Sequence, residues 1–170
     1  MKGSYVGIVS VAERLHRRAM DLLDGELVRL GTGDLNATQA MILLQMGTDE
    51  MTVSELTLRG CYQGTNVSYN LRRLTESGYV VQKRSGWDRR VVNVQVSEKG
   101  RGLLAHLERF YAALDVELSG VGLDAALMAD CARGLARIER HSALRLAQSG
   151  RPSGGHTSNV VAITSVRQVA

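Results

Sequence analysis

A chain of 170 residues, 44% of them hydrophobic, is long enough for one domain with a real core, and one Phe and one Trp make that core aliphatic. Two cysteines far apart in sequence are too few for a disulfide framework, and no apolar run reaches the length of a bilayer span or a secretory leader, so a cytoplasmic, non-membrane protein is expected. The net charge of +4 suits a polyanionic partner without requiring one.

In chain order, apolar residues between positions 5 and 30 recur at Ile8, Ala12, Leu15, Ala19, Leu22, Leu23, Leu27 and Leu30, the spacing of a long helix. A small domain cannot cover such a helix along its whole length. The spacing therefore favours a subunit interface shared with the C-terminal helices over the alternative, one side of an ordinary core. Gly31-Thr32-Gly33 ends it. Asn36 and Gln39 have capping-box spacing for a helix that includes Met41 and Met46, and Thr52 and Glu55 have it for a helix over 53–59. After a loose turn at 60–64, Thr65 is the expected N-cap of a helix over 65–77. There Val67, Leu71 and Leu74 share one apolar stripe, while Thr65, Tyr69, Arg72 and Arg73 point the other way, with Asn66 and Ser68 at the edges.

Gly78 suits a left-handed helix end, and 79–84 then reads as a strand. Val92, Val94 and Val96 alternate with Asn93 and Gln95 in a second strand. The two strands form a hairpin around a loop ending in Asp88-Arg89-Arg90. Ser97 caps a helix with Leu103, Leu107, Phe110, Leu114 and Leu118 in one seam, and residues 120–123 break it. Asp124 caps a last helix whose stripe holds Leu127, Cys131, Leu135 and Ile138. Residues 149–158 are rich in Gly, Ser and Pro and read as a linker; 159–170 is apolar and β-branched, and nothing in its pattern assigns it a role.

Charge is distributed unevenly. From Arg72 to Arg101 there are eight Lys or Arg against three acids, a local balance of +5 in a chain of +4. A helix with a polar, cationic outer face beside a cationic hairpin matches what duplex DNA requires: phosphate neutralisation plus a rod that fits the major groove. The bland counterpart is a solvated helix face and a charged turn.

Four spaced elements then coincide: Ser68 in the polar helix; Leu74-Thr75-Glu76-Ser77-Gly78-Tyr79-Val80; Asp88-Arg89-Arg90; and Ser97-Glu98-Lys99-Gly100. Together they resemble the MarR family of winged helix-turn-helix transcription regulators. One departure is Ser68-Tyr69, where many members carry Thr-Arg. The resemblance implies a mainly α fold with a small β hairpin, a winged helix-turn-helix module at 34–100, dimerisation helices at 1–33 and 101–148, and a linker and tail at 149–170. It implies a homodimer on a pseudo-palindromic DNA operator, helix 65–77 in the major groove and wing 85–90 in the minor groove. Small aromatic effectors between the dimer helices and the winged module are common in proteins that look like this.

Within that reading Asn66, Ser68 and Tyr69 face base edges, Arg72 and Arg73 grip phosphate, and Lys83 and Arg84 track the backbone beside the hairpin. The resemblance carries the minor-groove arginine over to Arg90, with Asp88 orienting the wing by pairing with an arginine; Arg89 is a phosphate contact or simply solvated. Thr65 aims first-turn amides at a phosphate. The competing reading is a winged-helix protein-interaction module that binds no DNA. An enzyme is disfavoured: His16, His106, His141 and His156 are scattered, and neither metal-ligand spacing nor a phosphate-cradling glycine motif occurs, so no cofactor is expected. Cys61, in a turn near cationic residues, is a redox candidate or a small buried hydrophobe, whereas Cys131 is expected in packing.

Overall fold

Ser4 opens the first helix, its hydroxyl accepting the Gly7 N–H at 3.2 Å in the computed structural model, which describes residues 4–60, 64–84 and 91–149. Helix α1 (Tyr5–Arg29) buries only its C-terminal part, through Leu23, Glu26 and Leu27. Leu15 and Leu22, on the stripe expected to pack, are more than half exposed within the single chain. The Asn36–Gln39 capping box forms as its spacing requires, and α2 (Ala37–Met46) follows. Asp24 of α1 adds a second cap by accepting the Ala37 N–H at 2.7 Å, so the two helices are tied by a backbone group as well as by packing. Thr52 and Glu55 form the other box and start α3 (Val53–Gly60).

Helix α4 (Gly64–Glu76) begins one residue before the expected cap, which places Thr65 inside the first turn. Its stripe behaves as the spacing demands: Val67, Leu71 and Leu74 are all but inaccessible and join a core with Leu23, Ile42, Leu43, Leu56 and Leu107. Strands β2 (Val80–Arg84) and β3 (Val92–Val96) pair antiparallel from Val80↔Val96 to Arg84↔Val92. The sheet has a third member that the hairpin reading lacked. Strand β1 (Met51–Thr52) pairs with β3 on its other edge, giving the order β1-β3-β2. Two residues show no period-two pattern, so only the partner strand reveals it.

Ser97 caps α5 (Glu98–Gly120) and Asp124 caps α6 (Ala125–Gln148). Along α5 the expected seam is buried at Leu103 and Leu107 and half-buried at Phe110, Leu114 and Leu118. On α6 only Ala143 is buried. Leu127, Leu135 and Cys131 on its apolar stripe are exposed, which corrects the expectation that Cys131 is packed within the chain. The stripe has the spacing of a packed seam, yet among the described residues it is left largely exposed. No helix among the described residues is long and apolar enough to cross a membrane.

The start of α5 presses on the chain between α4 and β2 and on the end of β3. A Cβ built on Gly100 would meet the Tyr79 carbonyl oxygen and Val96 Cγ1 closer than 3.0 Å, whereas one on Gly102 meets nothing. Gly100→Ala should therefore lower stability by about 1–3 kcal/mol in urea unfolding, the usual range for overpacking. Gly102→Ala in the same helix should be neutral or raise stability by up to about 1 kcal/mol through helix propensity. Equal midpoints for the two variants would refute this close approach.

Candidate DNA-binding interface

Because Val67, Leu71 and Leu74 fasten α4 to the core, the opposite face is turned to solvent with little rotational freedom. Asn66, Ser68, Tyr69, Arg72 and Arg73 all lie on that exposed side, and Tyr69 is 63% exposed despite its ring. The structure thus brings together five of the residues expected to meet DNA. Lys83 and Arg84 extend the surface along exposed β2, and neither pairs with a carboxylate among the described residues. Asp88, Arg89, Arg90, Cys61 and the side chain of Thr65 lie outside the described residues.

Strand and helix are joined directly. Gln82 on β2 donates to the Thr75 hydroxyl at 2.8 Å, and Thr75 in turn donates to the Leu71 carbonyl at 2.7 Å. A cleft of about 870 Å³ runs between them, with Ser68, Arg72, Glu76, Gln82 and Val92 among its lining residues. The wing-side strand and the polar helix are therefore tied by side-chain hydrogen bonds into one surface.

Asn70 escaped the sequence reading. It is buried, and its Nδ2 donates to the Asn66 carbonyl at 2.9 Å and to Asn66 Oδ1 at 2.7 Å. The Asn66 side-chain oxygen is thereby engaged inward, leaving its NH₂ as the group offered to a ligand. A polar residue four positions on, lying between the stripe residues Val67 and Leu71, is the signal that could have found it.

The charge excess also divides. Glu76 accepts from Arg72 Nε at 2.8 Å and from an Arg73 terminal nitrogen at 3.2 Å. These hydrogen bonds, led by that from Arg72, hold the Glu76 carboxyl below its usual range and push Arg72 up. Lys99 turns away from the outer face: Nζ donates to Asp34 at 3.2 Å and to the Ser77 carbonyl at 2.9 Å, and sits 4.0 Å above the Tyr79 ring. Arg101 donates to the Val96 carbonyl and pairs with Glu98. Two of the eight cations counted in the basic segment thus brace the fold.

Residues 35–100 match the family described as a winged helix DNA-binding domain. The fold is similar to FabT of Streptococcus pneumoniae, solved in complex with DNA, with a TM-score of 0.64, 22% identity and coverage of 81% of this chain and 96% of that one. It is similar also to a MarR protein from Peptoclostridium difficile, with a TM-score of 0.68, 15% identity and coverage of 84% and 91%. Over 136 residues the chain is 37% identical to the exopolysaccharide II synthesis transcriptional activator ExpG of Rhizobium meliloti (strain 1021), covering 80% of this chain and 70% of that protein. The chain belongs to the MarR family.

As a MarR-family protein it is a winged-helix DNA-binding transcription regulator and not an enzyme. Asp34 helps hold the chain just after α4, accepting from the Tyr79 hydroxyl and from Lys99, each at 3.2 Å. Burial raises the Asp34 carboxyl, but hydrogen bonds from Lys99 and Tyr79 outweigh it, leaving Asp34 below the ordinary range. A lowered folded-state value contributes stability that is complete above the unfolded-state value and is lost as pH falls through the folded one. Asp34→Asn should therefore flatten the loss of urea stability between about pH 5 and pH 3 relative to the wild type. Parallel acid profiles would show that Asp34 contributes nothing to that decline.

Proposed function

We propose that the chain works as a cytoplasmic homodimer that binds a pseudo-palindromic duplex, with the two copies of α4 in successive major grooves about 34 Å apart. The observation that carries this reading is the division of α4 into a buried stripe and a fully exposed face bearing Asn66, Ser68, Tyr69, Arg72 and Arg73. On this reading Asn66, Ser68 and Tyr69 meet base edges. Arg72 and Arg73 take phosphates, as arginine commonly does away from the helix start. Lys83 and Arg84 follow the backbone, Thr65 adds a first-turn contact, Arg89 lies against phosphate or solvent, and Arg90 enters the minor groove with Asp88 orienting the wing.

Support for the dimer comes from α1 and α6. Val9, Val11, Leu15, Leu127 and Leu135 are exposed on helices that share an apolar groove, and a helix with one buried residue is poorly stabilised by its own chain. Residues 1–33 and 101–148 serve as dimerisation arms around the module at 34–100, and 149–170 follows them as a linker and tail.

The effector reading draws on one side chain of α2 and one of α5. Among the described residues Gln45 Oε1 is buried without a hydrogen-bond partner, and the half-buried Tyr111 hydroxyl has only the weak acceptor Met41 Sδ, 3.9 Å away, with burial pushing its pKa up. A small aromatic molecule with a polar substituent would satisfy groups that the protein leaves poorly served. Cys61 keeps its two roles, redox-active or packed; labelling of the native protein with a thiol probe separates them.

In vitro selection from a random duplex library should enrich a two-fold related sequence, and failure to enrich any duplex would sink the reading. On the selected duplex Arg90→Ala should weaken binding about as much as truncating α4 side chains, by about 1–3 kcal/mol. Arg73→Ala should weaken selected and scrambled duplexes alike and lower the salt slope by about one, as for a phosphate contact. A loss confined to the selected duplex would instead give Arg73 a base-reading role.

A further inference from the structure

We propose that Glu76 is an internal stand-in for a DNA phosphate and a positioning residue that sets how strictly the protein rejects non-operator DNA. The proposal rests on the DNA-binding reading above. Both Glu76 oxygens are used, one by Arg72 Nε at 2.8 Å and the other by Arg73 at 3.2 Å. The same carboxylate and Arg72 line the cleft between α4 and the β2–β3 strands. An anionic group held by two arginines at the edge of a cleft beside the recognition helix occupies guanidinium positions that duplex phosphates would otherwise take.

The consequence follows from competition. Before either arginine can give its full donor set to DNA, the Glu76 contact must be exchanged for a phosphate contact, and the displaced carboxylate then faces the DNA at close range. A duplex seated in register by base contacts from Asn66, Ser68 and Tyr69 supplies phosphates at fixed positions and completes that exchange. A duplex held loosely by charge alone does not. Each arginine pair is solvent-exposed, with side-chain exposures of 78% and 52% for Arg72 and Arg73, so each is individually weak. Two pairs on one carboxylate, plus its repulsion of phosphate, together bear on random binding by about tenfold.

The test uses the full chain, the duplex selected in vitro and a scrambled duplex of equal length, titrated by fluorescence anisotropy over a salt series. Glu76→Gln should tighten the scrambled duplex about tenfold and the selected duplex no more than about threefold, steepening the salt slope on scrambled DNA by one to two as the arginines reach phosphate. Glu76→Asp should return both affinities toward wild type. Glu108→Gln, the same loss of charge at an exposed site on α5, should leave the ratio of the two affinities unchanged. If Glu76→Gln moves neither duplex, moves both equally, or is matched by Glu108→Gln, the stand-in role is wrong while the DNA-binding reading survives. If the wild type binds no duplex, both fall.

Discussion

The architecture turns on a short clamp between the end of the polar helix and the beginning of α5. Gly78, at φ 77°, takes the left-handed conformation that lets the Tyr79 N–H return to the Leu74 carbonyl at 2.8 Å. The chain then enters β2. From the far end of β3, Ser97 donates its hydroxyl to the Gly78 carbonyl at 2.6 Å and its N–H to Tyr79, while that same hydroxyl caps α5 through Gly100. Lys99 adds Ser77, Asp34 and the Tyr79 ring. One cluster thus fixes the end of α4, the open end of the hairpin where β2 starts and β3 finishes, the start of α5 and the loop before α2. In the proposed dimer the spacing of the two recognition helices depends on the angle between α4 and α5, and this clamp sets it.

Glycine at 100 belongs to the same constraint. Its missing side chain is what lets α5 begin against the Tyr79 carbonyl, so the Ser-x-x-Gly pattern is a packing requirement as much as a capping signal. The three neighbouring elements meet too closely there for any Cβ. A capping motif that also permits close approach couples two functions in four residues. Neither can then drift without disturbing the other.

What could be read in the sequence follows from which interactions are local. Both capping boxes, the Val67-Leu71-Leu74 stripe and the alternation of β3 each depend on residues a few positions apart, and all appear in the structure as their spacing requires. The misreadings involve partners distant in sequence. Strand β1 exists because Met51 meets Val94 across the sheet. Lys99 entered the count of the basic segment undiscounted because its partner Asp34 is 65 positions away. Periodicity placed Cys131 on the apolar face of α6, but it could not say that this face is exposed among the described residues. Asn70 was hidden by its own burial, since a buried Asn at the edge of an apolar stripe gives no periodic signal.

A positive segment is therefore a poor count of phosphate contacts. Of the eight cations between Arg72 and Arg101, Lys99 and Arg101 are tied to backbone carbonyls and carboxylates around the start of α5, contacts that transfer to DNA would break. Arg72 and Arg73 stand on the outer face but are already engaged by Glu76, so they bring fewer net charges to a duplex than their number implies. Lys83 and Arg84 alone among the described members lie exposed without a paired carboxylate. Counterion release is governed by the phosphates neutralised in the complex and not by formal charge. The segment that gives the chain its basic character thus divides into cations that build the reading head, cations held in reserve by an acid, and cations open to the backbone from the first encounter.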